Sequence, residues 1–248
     1  MDWQRLSTHE HARRRFTAAL LPIGTVEAHD GAPLGTDNYI PEALCRRLAD
    51  ELDMPWLPPM PYGVTRSLLA YPGSCGVSAA CLEGFLVELG ASLRRNGLRY
   101  LFVIDGHGGN LEALQAGAAR LFEAHGLYTA VIEWWFEAQA LAEEIFGAEG
   151  LGHAAVDELG LLAGLRPDLA ADFPRGPVPS YAVLKGVKAY PAPRPVLTYD
   201  QAGETVDLAR LAPESCERFA EGVLRIVSRA IREILSGWQA LDRERDGR

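Results

Sequence analysis

The chain has 248 residues, of which 48% are hydrophobic and 23% are charged. The length excludes a disulfide-stapled miniature, and the proportions, which are average for a globular protein, argue against a wholly disordered chain and a membrane-embedded bundle. Acidic residues number 33 against 24 basic ones, giving a formal net charge of −9 that disfavours nucleic-acid and anionic-lipid partners. No apolar stretch approaches the roughly 20 residues of a membrane span, and no secretory signal is evident, so we expect a cytoplasmic protein.

Apolar runs of strand length alternate with segments of helical periodicity, a pattern typical of βα units. The apolar runs predict strands at 18–23, 100–104 and 128–132. Helical spacing predicts one helix that opens near Pro41 and others at about 81–95, 111–122, 154–165 and 213–235. The Pro-rich segment 56–61 is expected to form a short edge strand or a turn. We therefore predict an α/β fold, a three-layer α/β/α sandwich around a mainly parallel central sheet.

A Pro-rich stretch interrupts the second half of the chain. Six prolines fall between Phe173 and Pro195, so we predict an ordered arm or lid at about 173–200 rather than regular structure. No linker divides two cores, so we expect one domain over residues 1–248. The charged tail at 242–248 is expected to fray, and the four cysteines, which form no CxxC pair, are expected to be reduced and mostly buried.

The first candidate site follows the predicted strand 18–23. Glu27 and His29 are two residues apart, so in an extended segment they project to the same side, and Asp37 can return to them from the next loop. Carboxylate and imidazole groups together suit Zn²⁺, Mn²⁺ or Fe²⁺. The alternative is that Asp37 only caps the following helix, while Glu27 is a solvated loop acid and His29 a hydrogen-bonded turn residue.

The second candidate site is a glycine-rich turn after the predicted strand 100–104. His107 is flanked by Gly106, Gly108 and Gly109, which let the backbone turn tightly and leave the imidazole accessible. Asp105 either orients His107 or simply hydrogen-bonds the turn. The rival interpretation is a dinucleotide-binding loop, but G-H-G-G-N is not GxGxxG, and the turn lacks the Lys and Ser/Thr of a P-loop.

The third candidate site lies at the entry to the predicted helix 154–165. His153 shares a helical face with Asp157, while Glu158 lies about 140° away, so periodicity alone does not choose between the two acids. The alternative is an ordinary helix start enriched in acids, which the helix dipole favours. No GxSxG elbow occurs and no cysteine accompanies a suitable histidine, so we do not expect a nucleophile from the protein.

Four segments resemble, in order, motifs of the creatininase (creatinine amidohydrolase) family. LLPIGTVEAHDGAPLGTD resembles LPxGxxEQHGxHLPxxTD, YPGSCGVS resembles FPGTxS, FVIDGHGGN resembles NGHGGN, and HAAVDELGLLAGLRPDL resembles HAGxxETSLMLxLxPDL. The resemblance spans most of the chain. It implies a creatininase-like α/β/α sandwich, two divalent metal ions per chain, hydrolysis of an amide-like bond, and a homo-oligomer that is often a hexamer.

Carried over residue by residue, the resemblance implies that Glu27 and His107 bind one metal. His29 would bind the other metal, and Asp37 would bridge both. Creatininase has a further acid two residues beyond the turn histidine, where this chain has Gly109, and Glu158 is expected to fill that place. The remaining expected site residues are His153, matching a histidine that shuttles a proton or binds substrate, and, as substrate-binding or supporting residues, Asp105, Gly108, Ser74 and Trp135.

The resemblance also implies a reaction. A hydroxide held between two metal ions about 3.5–4 Å apart would attack a small-molecule amide, at a carbon–nitrogen bond other than an ordinary peptide bond, and His153 would protonate the leaving nitrogen. Family members act on cyclic amides, formamides, peptide ends and cyclic diketones. A tryptophan that encloses creatinine is Glu149 here, so we expect a substrate other than creatinine. Two alternative functions are a catalytically silent metal-binding scaffold of the same fold and, less favoured, a nucleotide-dependent oxidoreductase.

Overall fold

Three strands form the central sheet, namely β1 (Ala18–Ile23), β2 (Tyr100–Asp105) and β3 (Tyr128–Glu133). The computed structural model describes residues 1–148, 151–171, 173, 177–179 and 205–246 of the chain. β1 pairs with β2 and β2 with β3, in both cases parallel. Parallel strands that are buried on both faces need continuous apolar runs, which AALLPI and YLFVID supply. The predicted parallel sheet is confirmed.

The helices lie before, between and after these strands. They are α1 (Thr8–Arg14), α2 (Thr36–Glu51), α3 (Ala79–Arg95), α4 (Leu111–His125), α5 (Trp134–Phe146), α6 (Val156–Leu165), α7 (Pro167–Ala170) and α8 (Pro213–Asp246). Two short strands, β4 (Pro177–Pro179) and β5 (Thr205–Asp207), pair antiparallel. Among the helices described, none combines the length and the apolar character that a membrane crossing requires.

Helices cover both faces of the sheet. Successive strand residues point to opposite faces, so Leu20 and Phe102 belong to a core cluster that includes residues of α2, α5, α6 and α8. Their neighbours Leu21 and Val103 belong to a second cluster, shared with α3 and α4. The sheet therefore lies between two helical layers, and the predicted three-layer sandwich is confirmed.

The Pro-rich segment runs along the outer edge of β1. Trp56 and Met60 make isolated parallel bridges to Leu20 and Ile23. Prolines at 58 and 59 have no N–H group to donate, which keeps the pairing from extending into a full strand. The predicted edge segment is confirmed.

Two helix boundaries differ from expectation. α2 begins at Thr36 rather than near Pro41, which lies inside the helix. Pro41 removes only the helical bond to the carbonyl of Asp37, and that carbonyl is packed against Gly24 and Gly106 at the ends of β1 and β2. The tail predicted to fray instead continues α8 to Asp246.

Further expectations also need correction. Cys45 and Cys216 are buried, but Cys75 and Cys81 are exposed, since they lie in a loop and in the first turn of α3, outside the core. The sequence does not indicate helix α5, because its residues, WWFEAQALAEEIF, follow a strand without any turn residue. Apart from Phe173 and β4, the predicted arm at 173–200 lies outside the described residues.

Candidate metal and active site

The carboxyl ends of the three parallel strands meet along one edge of the sheet. Their last residues, Ile23, Asp105 and Glu133, are in register. The chain leaves each strand into a loop, a turn or a helix at this edge, which is where open α/β sheets place their ligand sites. The three clusters singled out in the sequence converge beyond it.

Asp37 lies at the centre of the site. It occupies the first turn of α2, where Gly35 is the N-cap and no side chain caps the helix, so the interpretation of Asp37 as a mere cap is wrong. Its side chain is 1% exposed, and its Oδ1 lies 2.9 Å from His29 Nε2. Its Oδ2 lies 3.1 Å from His107 Nδ1. One buried carboxylate thus presents a different oxygen to each of two imidazoles.

Glu27 and Glu158 complete two groups around Asp37. Glu27 Oε1 lies 3.2 Å from His107 Nδ1, and Glu158 Oε2 lies 3.4 Å from His29 Nε2. Within each group the potential ligand atoms lie within 4.8 Å of one another. We call the first group, Glu27, His107 and Asp37 Oδ2, the Glu27 half, and the second group, His29, Glu158 and Asp37 Oδ1, the His29 half.

Backbone carbonyls fix which nitrogen of each imidazole faces the acids. His29 Nδ1 lies 3.0 Å from the carbonyl of Glu27, and His107 Nε2 lies 3.2 Å from the carbonyl of Val64. A carbonyl oxygen can only accept, so the nitrogen that contacts it carries the hydrogen. The opposite nitrogens, His29 Nε2 and His107 Nδ1, are left to face the carboxylates, which is how metal-binding histidines are usually held.

Several polar atoms of the site are buried without completing a hydrogen bond. Among the described residues these include His29 Nε2 and both carboxylate oxygens of Asp37. Burying such atoms is costly unless a cation or a proton compensates them. Two atoms that bind one zinc ion tetrahedrally lie about 3.3 Å apart, close to the 2.9–3.4 Å separations found here. The donor set therefore fits divalent cations.

Burial and charge act in opposite directions on the pKa values of the site. Burial would lower the pKa of His29 and of His107, but the facing carboxylates raise both pKa values well above the usual range. Burial would likewise raise the pKa of Glu27 and of Asp37, but the facing imidazoles lower both. The facing carboxylates and imidazoles thus favour opposite charges on one another, and a divalent cation could take the place of an imidazolium proton.

His153 approaches the Glu27 half from the turn before α6. Its Nε2 lies 2.7 Å from the carbonyl of Ala28, and its Nδ1 lies 3.5 Å from Glu27 Oε1. The turn is strained, since Ala154 has a φ of 53°. Glu158 Oε2 accepts a hydrogen bond of 2.7 Å from the backbone N–H of Ala154, which holds the turn in place.

Asp157, the other acid of the third cluster, is directed elsewhere. Its Oδ1 accepts a hydrogen bond of 2.8 Å from the backbone N–H of Gly152. Burial raises the pKa of Asp157 to about 7. Among the described residues it belongs to neither half, so the acid that reaches His29 is Glu158.

The expected supporting residues are placed in different ways. Asp105 Oδ1 accepts from the backbone N–H of His107 at 3.1 Å and from Asn110 Nδ2 at 3.0 Å, so it bonds the turn and not the imidazole. Burial raises the pKa of Asp105 to about 7. Ser74 Oγ accepts from the backbone N–H of Ala28 at 2.9 Å, so its hydroxyl holds the segment between Glu27 and His29.

A cavity of about 320 Å³ opens onto both halves. Gly108 and Trp135 line it as expected, together with Trp134. Among the described lining residues, none is Lys or Arg, so the cavity presents carboxylates, imidazoles and indole rings. Glu149, which stands where creatininase has a pocket tryptophan, lies outside the described residues.

Three buried residues of the site were not found from the sequence. The Thr65 hydroxyl donates a hydrogen bond to Glu27 Oε2, and Val64 supplies the carbonyl that contacts His107. Asn110 Oδ1 accepts a hydrogen bond of 2.8 Å from the backbone N–H of Val64. Thr65 and Val64 carry no acid or imidazole and lie in a separate segment, so no spacing rule selects them. The available signal for Asn110 was its place in the glycine-rich turn motif.

Comparison with known proteins adds an independent line of information. A family model described as Creatininase: Creatinine amidohydrolase matches residues 1–231. A mycofactocin precursor peptide peptidase of Mycolicibacterium smegmatis (strain ATCC 700084 / mc(2)155) is 34% identical over 122 residues, which are 46% of this chain and 49% of that protein. The chain thus spans about half the length of this curated relative.

Two further similarities cover more of the chain. A creatinine amidohydrolase of Pseudomonas putida is 26% identical over 188 residues, which are 66% of this chain and 72% of that protein. Among solved structures, a creatininase mutant described as Zn-Zn type matches with a TM-score of 0.80 at 21% identity, over 94% of this chain and 97% of that chain. At this identity the structural match supports the fold alone.

Proposed function

We propose that this chain, which belongs to the creatininase (creatinine amidohydrolase) family, is a metal-dependent amidohydrolase. Its reaction would be hydrolysis of an amide-like carbon–nitrogen bond in a small substrate. The observation that carries the proposal is the placement of Asp37, whose two buried oxygens lie 2.9 Å and 3.1 Å from nitrogens of two different histidines. A carboxylate in that position can bridge two cations.

The proposed ligand set has two parts that share Asp37. Glu27, His107 and Asp37 would hold one divalent ion, and His29, Glu158 and Asp37 would hold the other. Carboxylate and imidazole donors suit zinc, manganese or iron. Two such ions would supply Lewis acidity toward the scissile carbonyl and toward the attacking water.

The proposed proton donor is His153. Its Nε2 contacts a carbonyl and therefore carries a hydrogen, so Nδ1, which faces Glu27 Oε1, is the nitrogen at which a proton is exchanged. Glu158 holds the turn that carries His153, so the imidazole keeps its place at the wall of the cavity. A proton passed from Nδ1 to the leaving nitrogen would complete the cleavage of the carbon–nitrogen bond.

The cavity restricts the substrate. Its volume of about 320 Å³ suits a small molecule or the end of a peptide. A nucleotide is disfavoured in a site without metal ions, because Glu27, Asp37 and Glu158 line the cavity and would repel phosphates, and none of the described lining residues is Lys or Arg. This argues against the oxidoreductase alternative.

A peptide end is a second candidate substrate, favoured by the 34% identity to a protein named for its action on a precursor peptide.

Metal analysis and activity profiling test the proposal together. We expect about two divalent ions per chain and hydrolysis of at least one compound in a panel of lactams, formamides and short peptides. Bound metal without any hydrolysis would support the catalytically silent scaffold, and absence of bound metal would contradict the proposal. Homo-oligomeric assembly stays a prediction, which sedimentation of the metal-loaded chain measures.

The role of His153 has its own test. His153→Ala is expected to lower turnover by about 10²- to 10⁴-fold while both metal ions stay bound. His125→Ala is the matched control, because His125 lies exposed at the end of α4. Turnover of His153→Ala within twofold of wild type, with metals retained, would show that another group supplies the proton.

A further inference from the structure

Residues 63–65 form a loop that contacts two acidic or imidazole side chains of the site. The loop follows the edge segment 56–60 and is buried at Val64 and Thr65. It carries no titratable side chain. Its contacts reach Glu27 and His107, the two residues that belong to the Glu27 half alone.

Thr65 fixes the rotation of the Glu27 carboxylate. The terminal torsion of a glutamate side chain is soft, so a carboxylate needs a partner to hold one orientation. The Thr65 hydroxyl donates to Oε2, and Oε1 is thereby left to face His107 Nδ1 at 3.2 Å. Both Thr65, 3% exposed, and Glu27, 2% exposed, are shielded from water that could replace this hydrogen bond.

Val64 acts on the second ligand of the same half. Its carbonyl contacts His107 Nε2 at 3.2 Å and so directs Nδ1 toward the acids. Gly109 makes room for this contact, since a Cβ atom there would lie 2.4 Å from both His107 Nε2 and the Val64 oxygen. The imidazole and the carbonyl thus occupy the space that a side chain at residue 109 would need.

The loop is itself held by hydrogen bonds. The backbone N–H of Val64 donates to Asn110 Oδ1 at 2.8 Å, and that of Gly63 donates to Thr25 Oγ1 at 3.2 Å. Asn110 Nδ2 in turn donates to Asp105 Oδ1 at 3.0 Å. The loop is therefore tied to the ends of β1 and β2, and it can act as a rigid support.

The His29 half is supported by other groups. His29 Nδ1 contacts the carbonyl of Glu27, and Glu158 Oε2 accepts from the backbone N–H of Ala154. Within the described part of the chain, no hydrogen bond joins residues 63–65 to His29 or Glu158. The side-chain hydrogen bond that holds Glu27 is therefore distinct from the contacts that hold His29 and Glu158.

We propose that Thr65 is a positioning residue that holds Glu27 in place for one metal ion of the pair, so that its hydroxyl sets the affinity of the Glu27 half and not that of the His29 half. This inference rests on the proposed two-metal centre. Loss of a hydrogen-bonding partner behind a metal ligand typically weakens metal binding about 10- to 100-fold. We expect a change of that size at one of two sites.

The test is a Mn²⁺ titration of the metal-stripped full chain. Calorimetry and the electron paramagnetic resonance signal of free Mn²⁺ measure the affinity of each site. Thr65→Val removes the hydroxyl at nearly constant volume, and it should weaken one site about 10- to 100-fold while the other keeps its wild-type affinity. Thr65→Ser keeps the hydroxyl, so both of its sites should bind Mn²⁺ with about the wild-type affinity. Thr129→Val is the matched control, because the Thr129 hydroxyl on β3 has no hydrogen-bond partner among the described residues.

The outcomes separate this inference from the proposed function. Two sites of unchanged affinity in Thr65→Val, or two sites weakened equally, would overturn the role of Thr65 while leaving the metal centre in place. A wild-type chain that binds no Mn²⁺ would overturn both. If Thr65→Val does not fold, comparison of Thr65→Ala with Thr65→Ser isolates the hydroxyl and decides the question in the same way.

Discussion

Two acids that are adjacent in the chain have different partners at the site. Glu158 and Asp157 both lie in the first turn of α6, but they point in directions about 100° apart around the helix. Glu158 Oε2 faces His29 Nε2, whereas Asp157 Oδ1 caps the backbone of Gly152. The same charge therefore serves the metal centre in one residue and the local turn in the other.

This difference predicts opposite results for two matched substitutions. Glu158→Gln keeps the acceptor for the Ala154 N–H but removes the charge, so it should weaken one of the two metal sites by more than the 10- to 100-fold typical of a lost supporting partner. Asp157→Asn keeps an acceptor for Gly152 and should leave both affinities unchanged. Metal titration of the two variants measures this. Equal losses, or a loss in Asp157→Asn alone, would contradict the ligand set.

Whether a site residue could be predicted from the sequence depended on the chemistry of its side chain. Glu27, His29, Asp37 and His107 could be named as candidates because imidazoles and acids at motif spacing are conspicuous, whereas Glu158 was preferred to Asp157 only through the family resemblance. Thr65 could not be named, because a hydroxyl gains its role only from the partner it meets. Periodicity also left the two acids of α6 undecided, since a helical wheel gives direction around one axis and not the position of His29.

Among the elements, α3 and α4 approach each other closely on one face of the sheet. Gly90 of α3 lies against the buried side chain of Leu121 in α4, so that an added Cβ would be 2.6 Å from both methyl groups of Leu121. Gly84, in the same helix, has nothing within 4 Å of the corresponding position. One glycine therefore permits the packing, and the other only adds flexibility to the unfolded chain.

This contrast predicts a stabilising and a destabilising variant in one helix. Gly84→Ala should raise the free energy of unfolding by about 0.5–1 kcal/mol, because alanine loses less backbone entropy on folding. Gly90→Ala should lower it by up to about 2 kcal/mol, because overpacking against the buried Leu121 costs about 1–3 kcal/mol and the same entropy gain offsets part of that cost. Urea unfolding of the two variants provides the measurement. A stabilised Gly90→Ala would show that α3 and α4 can separate without cost.

At the scale of the whole molecule, α8 ties the chain to the sheet at the end opposite the site. Trp238 stacks on Tyr100 with ring centroids 5.9 Å apart. Asp242, 5% exposed, accepts hydrogen bonds from the hydroxyls of Tyr100 and Tyr128 and pairs with Arg99 at 2.8 Å. These contacts attach the C-terminal part of α8 to the sheet.

The Asp242 contacts predict a pH-dependent contribution to stability. Burial opposes ionisation of Asp242, but the hydrogen bonds from both tyrosines and the charge of Arg99 lower its pKa below the usual 3.8. A lowered folded-state pKa stabilises the fold above the unfolded-state value, and this contribution is lost as the pH falls through the folded-state value. Asp242→Asn should therefore cost about 1.5–3 kcal/mol at pH 7 and progressively less below pH 3.8.

Urea unfolding of wild type and Asp242→Asn across pH measures this difference. Asp53→Asn is the control, because Asp53 is exposed in a turn with a φ of 49°, a conformation that asparagine tolerates well. If the destabilisation caused by Asp242→Asn is the same at pH 7 and below pH 3.8, then packing around residue 242, and not its charge, anchors α8.

The sequence by itself determined the α/β class, the positions of three strands, and Glu27, His29, Asp37 and His107 as candidate site residues. The apolar runs AALLPI and YLFVID lie between turn and helix signals and so indicate buried parallel strands, and metal-binding side chains are few enough to stand out. Only the tertiary structure decided which acid reaches His29, that Thr65 and Asn110 support the site, and that α8 extends to Asp246. Each of these depends on segments far apart in the chain meeting in space, and local periodicity carries no information about such encounters.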